Sequence, residues 1–386
     1  METIILGWYV LVETGSVLLL AIFASMIYVG SLVAPVFGMF GDRIGHRNLL
    51  AGMRATYFVL SSTMTILALT GLLNPVFVYL LAAMTGLVRP SDLGVRAALV
   101  ASTMPHNQLT SAMSVSRTTM DTARMAGALT GAGLFAQLGM APAYVVIALF
   151  YLTSTILTLN IRSSAERQTP DPSLNDMASA SPLRDLREGL TYVWNVPLLR
   201  SLMWVAFLAN LTAYPLTSGL LPYIARDIYG TDQTGLGYLS ASYAAGSLAA
   251  SISLSMVGGL RIARLMIGAT IAWYLMLLVF AQLHSFPAAI ACLAMAGFAQ
   301  SLCMISIAVA LLRASTERLR GRVMGVRMLV IYGLPLGLLA AGSLIGQIGF
   351  AATGSLYAVT GLSLMLIIFL RWRTELWEKS ARANVQ

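Results

Sequence analysis

Charge is scarce in this 386-residue chain: Asp, Glu, Lys and Arg together make up 10%, against about a quarter in soluble domains. Hydrophobic residues fill 58% and the mean hydropathy is +0.79, so water cannot be the solvent around the folded chain. Lysine is almost missing, with Lys379 the single one among many arginines, a compositional bias without mechanistic weight. The three histidines, His46, His106 and His284, all fall at loops, and no His/Cys/Asp group has metal-ligand spacing. Neither a metal nor another cofactor is expected. Both cysteines, Cys292 and Cys303, lie in one apolar run; on a helix they stand ~16 Å apart and cannot bridge to each other. No phosphate loop or nucleotide fold is present, so an enzyme is not expected and energy for vectorial work must come from an ion gradient. Strict apolar/polar alternation over about ten residues is also missing, which excludes a membrane β-barrel.

What the chain has instead is long apolar runs. Eleven can be read near residues 15–40, 49–72, 76–100, 110–136, 141–161, 199–225, 235–260, 262–283, 286–312, 322–348 and 350–371. Each is long enough to cross a ~30 Å hydrocarbon core as a helix, and short turns join them, so the expected class is an all-α, polytopic membrane bundle. Basic residues mark alternate ends of the runs: Arg43, Arg47, Arg162, Arg184, Arg187, Arg200, Arg261, Arg264, Arg313, Arg320, Arg322, Arg371 and Arg373. Those ends face the cytoplasm by the positive-inside rule, carrying the C-terminus with them. The opposite turns, at Leu73-Asn74-Pro75, Gly139 to Pro142, His284 to Pro287 and Gly349-Phe350, hold no Lys or Arg, and a fifth holds only Arg226 beside Asp227 and Asp232. The formal charge of +9 is thus a topological address, and it gives no reason to expect nucleic acid, because the basic residues flank membrane spans.

Between the first two full runs stands Gly38-Met39-Phe40-Gly41-Asp42-Arg43-Ile44-Gly45-His46-Arg47. It resembles the signature loop of the major facilitator superfamily, Gly-x-x-x-Asp-Arg-x-Gly-x-Arg/Lys, and the resemblance extends over nearly the whole chain. It implies two pseudo-symmetric six-helix bundles that rock about a midplane cavity. In the family, the residues matching Asp42, Arg43 and Arg47, with Gly38 and Gly45, form a gating latch against the start of helix eleven, here near Arg322 to Arg327. Arg320 to Gly325 followed by Gly333 to Gly337 is similar to that start in exporter-type members. The helix-five glycines Gly127, Gly131 and Gly133 lack the proline of the exporter pattern and are expected to serve close packing. A weaker echo of the loop, without an acid, stands at Gly258 to Arg264.

The resemblance divides the chain into an amino-terminal bundle (1–161), a cytoplasmic linker (162–198), a carboxy-terminal bundle (199–372) and a cytoplasmic tail (373–386). Eleven runs fall one short of twelve. Leu6 to Ser16 is similar to the end of the family's first helix, so the amino-terminal bundle is expected to hold an incomplete first helix, from a truncated start, with a natural eleven-helix variant as the alternative. The linker begins with Pro, Ser and Asp and continues as an amphipathic stretch, Leu183 to Trp194, expected along the membrane surface and ended by Pro197.

The sharpest chemistry is two charged trios. Arg89, Asp92 and Arg96 stand three and four apart, as do Arg117, Asp121 and Arg124 in the reverse order, so each trio shares one helix face. Antiparallel neighbours would bring Arg89 level with Asp121 and Asp92 level with Arg117. Charges at that depth must pair or face a wet cavity, so the six form either a structural latch or a network for proton coupling or anion binding. Glu13 reads as a solvated cap at the outer surface. The carboxy-terminal half is nearly uncharged, and Asn210 and Tyr214, four apart near midspan, are its preferred substrate contacts. The expected function is proton-coupled export of a small amphiphilic or anionic organic molecule by a monomer in a bacterial-type inner membrane. Its partners would be that small-molecule substrate, protons and the lipid bilayer. An uptake carrier or uniporter is the alternative within transport, and a non-transporting membrane sensor or degraded transporter is the alternative outside it.

Overall fold

The computed structural model describes residues 1–32, 44–103, 109–161, 182–256, 262–316 and 319–377. Among them every element is helical. The principal helices are α1 (Glu2–Thr14), α2 (Val17–Met26), α3 (His46–Leu69), α4 (Pro75–Thr103), α5 (Leu109–Leu138), α6 (Met140–Leu159), α7 (Pro182–Asn195), α8 (Pro197–Leu208), α9 (Gln233–Met256), α10 (Ile262–Gln282), α11 (Phe286–Ala314), α12 (Arg320–Val330), α13 (Gly333–Arg371) and α14 (Arg373–Trp377).

Helix ends follow local chemistry. Gly15 takes the left-handed conformation after α1, φ +62°, and its N–H donates to the Leu11 carbonyl at 2.9 Å, the usual glycine stop. Ser16 then caps α2 by accepting from the Leu19 amide. Proline opens α4, α8 and, one residue in, α11, where its missing N–H is free of cost. Gly139 and Gly349, with φ +81° and +78°, break otherwise continuous helix, so α13 is two helices turning at Gly349. Both lie at turns that carry no basic residue.

Five helices among the described residues are long and apolar enough to cross a membrane, and the pair α7 and α8, bent by 107°, makes a sixth if taken as one. Eleven separate spans are not resolved by that criterion. The reason is compositional: α3, α5 and α9 run to 24, 30 and 24 residues, enough to cross, but arginines, an aspartate and small polar residues lower their hydropathy. Outward-facing positions are apolar, with Phe150, Leu157 and Leu370 each more than 60% exposed, as a lipid-facing surface requires.

One core centres on Ile5, Leu11, Phe23, Met64 and Tyr144, another on Trp273, Leu277, Phe280 and Leu338. Small residues let helices distant in the chain approach. Gly237 meets Ala132, Gly342 meets Ala21, and Ser25 donates to the Pro335 carbonyl at 3.3 Å. A methyl group added to Gly337 would overlap the Leu211 carbonyl. Backbone contact of this kind replaces the hydrophobic drive that a bilayer does not supply between helices.

Candidate functional site

The expected charged face of α4 is present, but its partner is not the one that periodicity suggested. Asp92 is gripped by Arg54 of α3, with N–O distances of 2.9 and 3.1 Å and both side chains mostly buried. Arg96 and Arg89 act on the same carboxylate electrostatically, so three arginines surround one acid. Arg54 is also stacked over the Tyr57 ring, 5.9 Å from its centroid, and Tyr57 packs on Tyr151 of α6 at 5.1 Å. The Tyr151 hydroxyl donates to the Glu2 carboxylate at 3.3 Å. Polar and aromatic groups therefore run without interruption from α4 through α3 and α6 to α1.

Arg89 lies at the end of this ladder. It donates to Thr3 Oγ1 at 3.2 Å, and its electrostatic neighbours are Tyr151, Glu2, Tyr28 and Tyr57. The residue keeps exposed surface while its guanidinium lies among these groups, and a charge at that depth needs such partners. Asp121 on α5 is buried, at 6% exposure, and Arg124 is exposed. The described partners of Arg89 and Asp92 are therefore Thr3 and Arg54, rather than Asp121 and Arg117. The physical reason is that α3 packs beside α4 closely enough for Arg54 to reach Asp92, and helical spacing within α4 and α5 carries no information about a third helix. The side chain of Arg117 lies outside the described residues.

Of the signature loop, Gly38, Asp42 and Arg43 lie outside the described residues, as does most of its echo. Gly45 and Arg47 are described: Gly45, at φ +84°, caps α3, and Arg47 stands in its first turn. Glu13 is exposed at the end of α1.

In the carboxy-terminal half the segment after α8 is not one helix. A π-helical turn at Ala209–Ala213 precedes Tyr214–Thr217, and a second at Ile224–Ile228 follows Leu221–Tyr223. Pro215 and Pro222 each remove a donor from the ladder, and π turns concentrate at functional sites. The wider turn alters the face shared by Asn210 and Tyr214. Asn210 donates back to the Ala206 carbonyl of its own helix at 2.9 Å. Tyr214 instead accepts a short hydrogen bond from Gln300 and packs edge-on against Trp273 at 5.2 Å. Ser247 donates to the Gln300 carbonyl oxygen at 3.2 Å, and Thr217 donates to Tyr243 at 3.3 Å. Arg124, from the other half, acts electrostatically on Tyr243.

Sequence analysis named the charged face of α4 and Tyr214 as candidates, and did not name their neighbours Arg54, Tyr57, Tyr151 and Glu2. Arg54 was the findable one, since an arginine five residues inside an apolar run has to pair. Arg226 links distant parts of the chain, donating to the Leu11 carbonyl of α1 at 2.7 Å while staying 3.7 Å from Asp227. Among the described residues no group of acids, histidines and cysteines is arranged to hold a metal.

The family model of the Major Facilitator Superfamily matches residues 3–335. Over 201 residues the chain is 28% identical to the protein named multidrug efflux pump Tap of Mycolicibacterium fortuitum, a match covering 52% of this chain and 48% of that one. The chain thus spans about half the length of this curated relative. Its fold is similar to that in the crystal structure of the human organic anion transporter MFSD10 (TETRAN), with a TM-score of 0.64 and 17% identity over 91% of this chain and 83% of that one. At that identity the likeness concerns the fold.

Proposed function

Because the chain belongs to the major facilitator superfamily, we propose that it is a secondary transporter, exporting a small amphiphilic or anionic organic molecule in exchange for protons by alternating access. The observation that carries the proposal is the Asp92–Arg54 pair with Arg89 and Arg96 around it. Guanidiniums favour the ionised form of a carboxylate, and one separated from them in a low-dielectric bundle takes a proton. If rocking of the halves stretches the pair, protonation of Asp92 becomes coupled to conformation. Glu2, held by Tyr151 and close to Arg89, is a second acid on the same ladder.

The outer seal supports the alternating part of the reading. A guanidinium on the terminal carbonyls of α1 complements the negative end of that helix, and it joins the two halves at one point that can open and close. Asp42, Arg43 and Arg47, with Gly38 and Gly45, are proposed to do the same at the cytoplasmic side. For the substrate we favour the wall formed by Tyr214 and Tyr243, backed by the buried Trp273 and Gln300: aromatic faces for an apolar body and hydroxyls for one polar group. Export is favoured by the name of the matched Mycolicibacterium pump. Placement in a bacterial inner membrane, with the tail cytoplasmic, rests on the distribution of arginine.

The test is dye efflux from energised vesicles, with and without a proton uncoupler, for the wild type, Asp92→Asn and Asp121→Asn. Coupled export requires that the uncoupler abolish flux and that at least one variant lose it while remaining folded. Flux indifferent to the uncoupler would point to a uniporter. Normal transport by both variants would make the charged ladder a structural latch. Absence of any substrate-dependent flux would favour the membrane sensor.

A further inference from the structure

At the basic end of the carboxy-terminal half the side chains stack in an alternating ladder. Arg200, in the first turn of α8, lies between two indoles, its Cζ 5.8 Å from the Trp194 ring and 5.6 Å from the Trp372 ring. The other neighbour of Trp372 is Arg371, at 5.8 Å. Two guanidiniums thus flank one indole, and among the described residues neither has a carboxylate partner. Arg373 and Arg187 add exposed positive charge nearby in the chain. The acid within reach on α7, Glu188, is engaged by Arg322 at 3.0 Å. Of the Arg200 donors, one Nη bonds the Trp194 carbonyl at 3.4 Å, while Nε is buried without an acceptor.

The surroundings are apolar in one direction only. Leu190 and Trp194, four apart on α7, are 47% and 57% exposed, and Trp204, one turn beyond Arg200 on α8, is 41% exposed. Trp204 packs edge-on against Phe207, so an aromatic track descends along α8 from the guanidinium ladder. The opposite side of α7 is polar, with Arg187, Glu188, Thr191 and Asn195. A helix of this kind lies in the membrane interface, and tryptophan there marks the headgroup level.

We propose that Trp194, Arg200, Trp372 and Arg371 form a binding site for the phosphate of an anionic phospholipid of the cytoplasmic leaflet. The Nη groups of Arg200 and the Arg371 guanidinium take the phosphate oxygens, a pairing that planar guanidiniums suit. The acyl chains run along Trp204 and Phe207. The ladder supplies the charge and the track supplies the apolar continuation, which a free phosphate ion does not need. A lipid bound there clamps α7 to the ends of α8 and α13, and so ties the linker to one half. The inference rests on the membrane orientation and is independent of what, if anything, the protein transports.

The experiment is native mass spectrometry of the purified full chain in detergent, titrated with dioleoyl phosphatidylglycerol, dioleoyl phosphatidylcholine or inorganic phosphate. The wild type should retain phosphatidylglycerol in preference to phosphatidylcholine, and Arg200→Gln and Arg371→Gln should each weaken retention about fivefold, from the contribution of one arginine near an anionic surface. Arg313→Gln, an exposed arginine at the end of α11, is the control for general surface charge. Unchanged retention in the double variant, equal loss in the Arg313 control, or displacement of the lipid by millimolar phosphate would each overturn the proposal. If Arg200→Gln does not yield folded protein, Trp204→Ala should still lower lipid retention, and its failure to do so counts against the site. Because no flux is measured, a negative result here leaves the transport proposal standing, and loss of transport leaves this one standing.

Discussion

Asp92 and Arg54, 38 residues apart on neighbouring helices, meet at 2.9 Å with most of both side chains out of water. Neither residue can be changed alone without leaving a charge stranded, and that asymmetry sets the first expectation.

Arg54→Gln should destabilise the protein by about 3–5 kcal/mol, the usual result of removing one member of a buried pair. Asp92→Asn should do the same, leaving three arginines without their acid. The double variant Arg54→Gln/Asp92→Asn should recover much of the loss, because no charge is left unpaired. Thermal unfolding of detergent-solubilised protein followed by size exclusion measures all three, and equal loss in the double variant would mean that the pair is not an energetic unit.

The Tyr151–Glu2 contact is a single hydrogen bond at 3.3 Å, so Tyr151→Phe should cost about 1 kcal/mol in stability. Its effect on transport should be larger than its effect on stability, since the hydroxyl is the step joining Glu2 to the rest of the ladder. Comparing melting temperature with the rate of proton-driven efflux separates the two.

Gln300 orients Tyr214 through one end of its amide and accepts from Ser247 through the other. Gln300→Leu is expected to raise KM for a transported dye with little change in the maximal rate, as loss of a binding contact does. An unaltered KM across several dyes would remove Tyr214 from the substrate wall.

Arg226→Ala removes the guanidinium from the Leu11 carbonyl. A charge-assisted hydrogen bond of this kind is worth about 1.5–3 kcal/mol, so the population open to the outside should rise roughly tenfold or more. A cysteine placed at Leu220, which is fully buried, in a background lacking Cys292 and Cys303, should label faster with an impermeant maleimide added outside.

Gly337 faces the Leu211 carbonyl so closely that no side chain fits. Gly337→Val should destabilise by at least about 1–3 kcal/mol through overpacking. Gly268, whose added methyl would meet nothing, should accept alanine with no measurable loss.

Much of this protein was determined along the chain. Composition alone required a membrane solvent, and the reversals at Gly139 and Gly349 were legible because glycine and the absence of basic residues are local properties. The match of Gly38 to Arg47 to a known signature named the family that the whole-chain comparison then supported. The face shared by Arg89, Asp92 and Arg96 was legible too, since a helix repeats every 3.6 residues. What faces that surface was decided only by packing. Arg54 reaches Asp92 because α3 lies beside α4, and Tyr57, Tyr151 and Glu2 join the ladder from three helices whose mutual angles no periodicity records. The π turn at Ala209–Ala213 likewise altered a four-residue spacing on which the pairing of Asn210 with Tyr214 depended. Helical phase is a one-dimensional property; the depth and azimuth at which two helices meet depend on every small residue between them, and those are set by the tertiary structure.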